Sequence, residues 1–468
     1  MRSVDALKYA ATVLTILVFT YLALGRIENQ ILGVVLLALV LWSFYPNRHF
    51  ESSLLVIALI AVFEASLNVR DFITSLFNTY GASGLWIILS GFILAKAMEE
   101  SGLGRRIALK IMTSMGCKPR NVILAIAVAS LAIAPLSPST TAKAFIILPI
   151  CIGLVESFGV EKGRSRFGAA VMLMAMTANN ICSTAFLTAT VPNPISAEYI
   201  AVSTPLRLDW GEWFRMAFPI TILLLAVSYL LITLMFKPEI EASKETYDRI
   251  CGIRDQLGPV TKKEMIVAVM FIIALILWIT ERFNPFNVGL ISLALSLLLF
   301  LPQAGVMEIN KFSGTVPWGS IALFAATMFL ARVVGKYKAL DPVATGIFQA
   351  VGLGSLSPAL FIGSIVLVAM MLHLIFTSTT VYATVMMPVV IGLANNQGAN
   401  PILLALPVAL LAPVAVILPV NTIPNIIFHT EGWFTEQQMI SYGVILSLVS
   451  VAIVLLVGVP YWQLIGLI

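Results

Sequence analysis

The sequence predicts an all-α polytopic membrane protein, with about 11 transmembrane helices plus two re-entrant hairpins in two inverted-topology repeats. Three observations carry that prediction. Of 468 residues, 59% are hydrophobic and 11% charged, with a mean hydropathy of +0.99, whereas soluble domains carry roughly a quarter charged residues. Apolar runs of about 15 to 20 residues recur from Tyr9 to the C-terminus, each long enough to cross a ~30 Å hydrocarbon layer as a helix. Two longer apolar stretches, 121-157 and 357-393, are each split by a polar break, and the two breaks read alike. The alternating segments of about ten residues that mark a transmembrane barrel are absent.

Composition closes off other classes. Cys117, Cys151, Cys182 and Cys251 lack paired spacing, so they read as small core residues and suggest neither a disulfide framework nor a zinc site. The net charge of +5 gives no case for nucleic acid, because in a membrane protein the placement of charge matters more than its sum. Arg2 and Lys8 before the run from Tyr9 to Gly25 imitate a signal peptide. Arg26 and Glu28 follow without a small-residue cleavage site, so a retained first span is expected.

Taken in order, the spans fall near 9-25, 31-45, 52-65, 84-99, 167-190, 214-236, 264-281, 287-301, 318-333, 402-427 and 438-458. The breaks inside the two remaining stretches are Ser137-Pro138-Ser139-Thr140-Thr141 and Thr377-Ser378-Thr379-Thr380. Arg105, Arg106, Lys110, Lys118 and Arg120 precede the first stretch and Lys162, Arg164 and Arg166 follow it, which puts both flanks on the cytoplasmic side. Two short halves with a polar tip then make a re-entrant hairpin. With a cytoplasmic N-terminus, 18 of the 28 Lys and Arg residues lie inside, and the C-terminus lies outside. The expected location is a bacterial or archaeal plasma membrane.

The chain repeats itself. Ser139-Thr140-Thr141-x-x-Ala144-x-x-x-x-Pro149 matches Ser378-Thr379-Thr380-x-x-Ala383-x-x-x-x-Pro388, and Thr190-Val191-Pro192-Asn193 matches Thr422-Ile423-Pro424-Asn425. Five crossings per copy is odd, so the second copy is expected upside down relative to the first. The division is an N-terminal helix (1-30), a first repeat (31-236, hairpin 121-157), a cytoplasmic linker (237-263) and a second repeat (264-468, hairpin 357-393).

Hydroxyl and amide residues at a helix break have a physical rationale. A break exposes backbone groups that hydrocarbon cannot satisfy, so it survives only when packed in protein or lining an aqueous cavity. It also presents free N–H groups and a positive dipole end, which suit an anion. Two opposed tips would receive a molecule with two separated carboxylates. In T-[VI]-P-N, proline removes an intrahelical hydrogen bond and asparagine caps the freed backbone. The competing reading of a single S-T-T is helix packing or back-bonding. Two copies in register, each followed by T-[VI]-P-N, favour a ligand site.

On these motifs the sequence resembles the divalent anion/sodium symporter family, from about residue 31 to the end. That resemblance implies eleven spans, inverted repeats, an elevator-type stroke, a homodimer and small carboxylate anions as the transported partners. It assigns the substrate to Ser139, Thr140, Thr141, Ser378, Thr379 and Thr380, with Thr190, Pro192, Asn193, Thr422, Pro424 and Asn425 at the broken helices. The pattern departs from the family at two kinds of position. Thr140 and Thr379 stand where the family has asparagine, and Pro135 and Leu374 stand four residues before the tip serines, where sodium-coupled members carry a hydroxyl. Hard oxygen ligands are lost at both sites, so no cofactor is expected and sodium coupling is doubtful.

Lys143 and His373 are the candidates for charge compensation. Lys143 lies one helical turn past Ser139 and on its face, and a buried cation in a membrane is costly unless paired, so an intramembrane lysine is a functional candidate. Its alternatives are snorkelling or pairing with Glu99 or Glu100; for His373 the alternative is a packed neutral ring. A fixed lysine attracts a dianion without a co-transported ion, which is the physics of an exchanger such as the citrate:succinate and plastid oxoglutarate:malate members. Trp210, Trp213, Trp433 and Trp462 read as interface anchors, and Asn179-Asn180 as cavity-lining or helix-bonding. An intramembrane enzyme lacks support, since only His49, His373 and His429 occur and no H-E-x-x-H is present. An anion channel, and a sodium-coupled dicarboxylate or sulfate symporter, remain as rival readings.

Overall fold

Long apolar helices, short amphipathic helices and broken helices build this chain, and the computed structural model describes residues 2–241, 244–376 and 378–468. Thr377, part of the second predicted break, lies outside the described residues. The first half runs α1 (Arg2–Ala23), α2 (Ile27–Phe44), α3 (His49–Leu67), α4 (Val69–Tyr80), α5 (Ser83–Ser101), α6 (Leu103–Ser114), α7 (Pro119–Ile133), α8 (Thr140–Ser157), α9 (Arg166–Cys182), α10 (Pro192–Ser203) and α11 (Trp210–Met235). A linker helix, α12 (Lys244–Asp255), follows. The second half runs α13 (Lys262–Ile279), α14 (Val288–Leu297), α15 (Phe312–Thr315), α16 (Trp318–Tyr337), α17 (Asp341–Ala350), α18 (Pro358–Leu372), α19 (Thr379–Gln397), α20 (Ile402–Leu411), α21 (Ile423–Thr430), α22 (Glu436–Ile453) and α23 (Val459–Leu464).

The protein is an all-helical integral membrane protein. Among the described residues, 8 helices are long and apolar enough to cross a membrane, and four shorter apolar ones accompany them. Several predicted spans are refined. The 167-190 and 402-427 runs are not continuous helices: the first stops at Cys182 and restarts at Pro192, the second stops at Leu411 and restarts at Ile423. The 287-301 run is α14 closed by a 3-10 turn over Leu298–Phe300, and the last run has a π-type turn at Val454–Gly458. Short helices such as α4, α6, α12 and α17 lie in segments where no span is predicted. Of these, α4 starts on a polar signal: Asn68, whose side chain accepts from the backbone N–H groups of Arg70 and Asp71.

Packing is reciprocal between the halves. α3 lies along α16 and α5 along α14, while α8 meets α21 and α10 meets α19. Glycine permits the closest approaches: a Cβ at Gly289 would lie 2.9 Å from the carbonyl carbon of Ser83. A smaller apolar core gathers α2, α3 and α16; a larger one takes in both hairpins and both broken helices. Glu64, fully buried on α3, meets Lys336 of α16 at 2.7 Å.

Candidate substrate site

Each hairpin turns on a serine that starts its second arm. Ser139 is the N-cap of α8 and its Oγ accepts from the Ala142 N–H at 3.1 Å; Ser378 is the N-cap of α19 and accepts from the Val381 N–H at 3.4 Å. Capping satisfies one of the four free N–H groups of a helix start and leaves the others facing the tip. Ser139, Thr140, Thr141, Ser378, Thr379 and Thr380 are all half-buried, so the tips combine enclosure with access. Pro149 and Pro388 sit inside the second arms at matching positions.

The broken helices expose carbonyls, and side-chain donors meet several of them. Asn193 Nδ2 donates to the carbonyls of Ser183 (2.7 Å) and Phe186 (2.8 Å). Asn425 Nδ2 donates to those of Ala415 (2.6 Å) and Leu418 (3.1 Å), the positions that correspond residue for residue. Pro192 and Pro424 fall in the first turns of α10 and α21, where a missing N–H costs nothing. Thr422 caps α21 through the Asn425 N–H, while Thr190 is extended and buried. Asn180 Nδ2 donates to Asn425 Oδ1 at 2.9 Å and so joins the halves; Asn179 Nδ2 donates to the Thr140 carbonyl at 3.0 Å. Both asparagines therefore bond between helices.

The tryptophans correct a sequence expectation. Trp210, Trp213, Trp433 and Trp462 are buried rather than placed as interface anchors. Trp213 Nε1 donates to the Thr184 carbonyl and Trp210 Nε1 to Thr188 Oγ1, so indoles brace the first break from behind. A break needs donors for its free carbonyls, and an indole supplies one without bringing a charge into the membrane.

Lys143 neither snorkels nor meets Glu99 or Glu100. Its side chain is 1% exposed, and Nζ donates to Ser183 Oγ at 2.8 Å and to the Ala189 carbonyl at 2.7 Å, both in the break between α9 and α10. Ser183 Oγ in turn donates to the Asn179 carbonyl. Hairpin tip, α9 and the break thus form one hydrogen-bonded unit around a buried amine. In the second half Tyr382 holds the position of Lys143; its ring stacks on His373 with centroids 4.1 Å apart, and His373 Nε2 lies 2.7 Å from the Ala412 carbonyl. Asn421 Nδ2, beside the T-[VI]-P-N motif, donates to the His373 carbonyl. The partners Ser183, Ala189 and Asn421 escape a motif search because the repeat does not preserve them.

A cavity of about 780 Å³ lies beside this unit, between Ala82, Ser83, Phe324 and Arg332 on one wall and Leu187, Pro194, Ala197 and Glu198 on the other. It reaches the first break but is not lined by the tip residues.

The model of the sodium:sulfate symporter transmembrane region matches residues 6–468. The chain belongs to that family. It is a family of transporters, and this member is a transporter rather than an enzyme. Among relatives, the citrate/succinate antiporter of Escherichia coli is 26% identical over 389 residues, covering 81% of this chain and 79% of the relative. Dicarboxylate transporter 1, chloroplastic, of Spinacia oleracea is 27% identical, covering 84% and 69%. The sodium-dependent dicarboxylate transporter SdcS of Staphylococcus saprophyticus is 26% identical, covering 92% and 91%. The crystal structure of the Alcanivorax borkumensis YdaH transporter superposes with a TM-score of 0.57 at 15% identity, covering 85% of this chain and 89% of that one, which is a likeness of fold.

Proposed function

We propose that this transporter exchanges di- and tricarboxylate anions across the membrane. The observation that carries the reading is Lys143, a buried amine held only by neutral oxygens in its recorded contacts, one turn past a hairpin tip. An embedded cation without a carboxylate partner is costly, and an anion bound nearby relieves that cost. Its charge cannot leave with the substrate, so the empty carrier keeps an uncompensated cation and reorients slowly. Binding a second anion restores neutrality, which makes exchange the favoured cycle. The ammonium also engages Ser183 and Ala189, oxygens of the kind a sodium ion would need, and Thr140 and Thr379 add no amide oxygen.

In this reading Ser139, Thr140, Thr141, Ser378, Thr379 and Thr380 receive the carboxylates, helped by the free N–H groups of α8 and α19. Thr190, Pro192, Asn193, Thr422, Pro424 and Asn425 hold the breaks in shape, and His373 serves the second break as a packed ring. The reciprocal pairing of α3 with α16 and α5 with α14 supports two inverted repeats. An elevator stroke, a homodimer, a cytoplasmic N-terminus and an outer C-terminus complete the proposal on family resemblance and basic-residue placement. Sodium-coupled symport of a dicarboxylate or sulfate is the second reading, favoured by the similarity to SdcS over 92% of the chain.

Lys143→Gln tests the exchanger. Loss of a charge-assisted contact of about 1.5–3 kcal/mol corresponds to a roughly 10- to 100-fold fall in succinate exchange by the reconstituted protein. Full exchange by a folded Lys143→Gln protein contradicts the role.

A further inference from the structure

α10 begins with Pro192 and Asn193 of the candidate site, and its far side packs on α16. One ion pair ties these helices together. Arg332 Nε on α16 donates to Glu198 Oε1 on α10 at 2.6 Å, with side chains 27% and 14% exposed. Both residues line the 780 Å³ cavity. A turn farther along, Gly335 lets the helices close: a Cβ there would lie 2.6 Å from Val202 Cγ1 and 4.0 Å from Val202 Cβ. Lys336, next on α16, is held instead by Glu64 of α3, so α16 is anchored on its other side to a helix that carries no site residue.

We propose that Glu198 and Arg332 are positioning residues that latch α10, and with it the Pro192-Asn193 end of the site, to α16 in the state that opens the cavity. The inference rests on the proposal that the site moves during exchange, because α10 then has to leave α16 in each cycle and the pair has to break. A half-excluded guanidinium–carboxylate contact is stronger than a solvated one, and each partner left alone in the seam is unfavourable. The latch therefore sets how long the cavity-open state lasts. It leaves the tips untouched, so it governs the rate of exchange and not the affinity for substrate.

The test uses the full chain in proteoliposomes, with Cys117 and Cys251 replaced by serine and a reporter cysteine at the cavity wall (Ala82→Cys). Glu198→Gln and Arg332→Gln are expected to change the maximal exchange rate, and the rate at which the reporter reacts with an impermeant maleimide, by about three- to tenfold, with KM within twofold. The charge swap Glu198→Arg with Arg332→Glu is expected to restore both rates, a rescue that a purely structural defect does not show. A second arm separates the latch from the motion it serves. The 4.0 Å spacing at Gly335 and Val202 suits a disulfide, so Val202→Cys with Gly335→Cys locks α10 to α16. Exchange blocked by oxidation and recovered on reduction, together with the altered single-variant rates, supports the latch. Exchange blocked by oxidation while both single variants keep normal rates overturns the latch and leaves the motion standing. Full exchange by the cross-linked protein overturns the motion and the latch with it.

Discussion

Asn193 and Asn425 do one job at two places, and the difference between them is measurable. Each donates to two carbonyls of its own break, but Asn425 also accepts from Asn180, whereas Asn193 Oδ1 is buried with no recorded partner. Replacing either with alanine strands two buried carbonyls, at about 1–3 kcal/mol for each unsatisfied group. Asn425→Ala strands the Asn180 amide as well, so it is expected to lower the thermal unfolding midpoint of the purified protein more than Asn193→Ala; equal losses contradict the account. The repeated proline-asparagine pair made both residues legible in the sequence. Lys143 was legible too, because a lysine in an apolar stretch is conspicuous, but its partners were not. Ser183 has alanine as its counterpart at Ala415, and a backbone carbonyl such as that of Ala189 has no signature at all. Trp213 was misread because an indole near a span end looks the same in sequence whether its N–H meets a headgroup or the carbonyl of Thr184.

Among the elements, the long apolar helices followed from hydropathy, because a helix that crosses lipid has to be apolar for most of its length. The short helices did not follow. α4 and α6 are 12 residues each and amphipathic, and a reading tuned to long apolar runs passes over them. The extents of the breaks were also hidden: the sequence located Thr190 and Thr422, but the helices end well before, at Cys182 and Leu411, where interior donors on α8, α11 and the end of α18 take up carbonyls of the breaks. Close crossings depend on glycine. At Gly289, where α14 lies against the start of α5, an added methyl group meets the Ser83 backbone, so Gly289→Ala is expected to destabilise by about 1–3 kcal/mol, read as a lower unfolding midpoint. An unchanged midpoint contradicts the tight α5–α14 contact.

For the whole molecule, all-helical membrane architecture was readable from composition and run length, and the serine-capped starts of α8 and α19 from a motif present twice. Orientation rests on the distribution of Lys and Arg and is open to direct measurement. In intact cells, Arg282→Cys is expected to react with an impermeant thiol reagent, while Arg164→Cys reacts only after permeabilisation; both side chains are exposed, and the reverse pattern contradicts the topology. The central claim is that a lysine built into the site replaces a travelling cation, so that anions move by exchange. The most direct measurement is succinate counterflow in proteoliposomes with sodium replaced by choline. The account predicts that internal succinate accelerates uptake of labelled succinate to the same extent with and without sodium; uptake that requires sodium, or that ignores internal succinate, contradicts it.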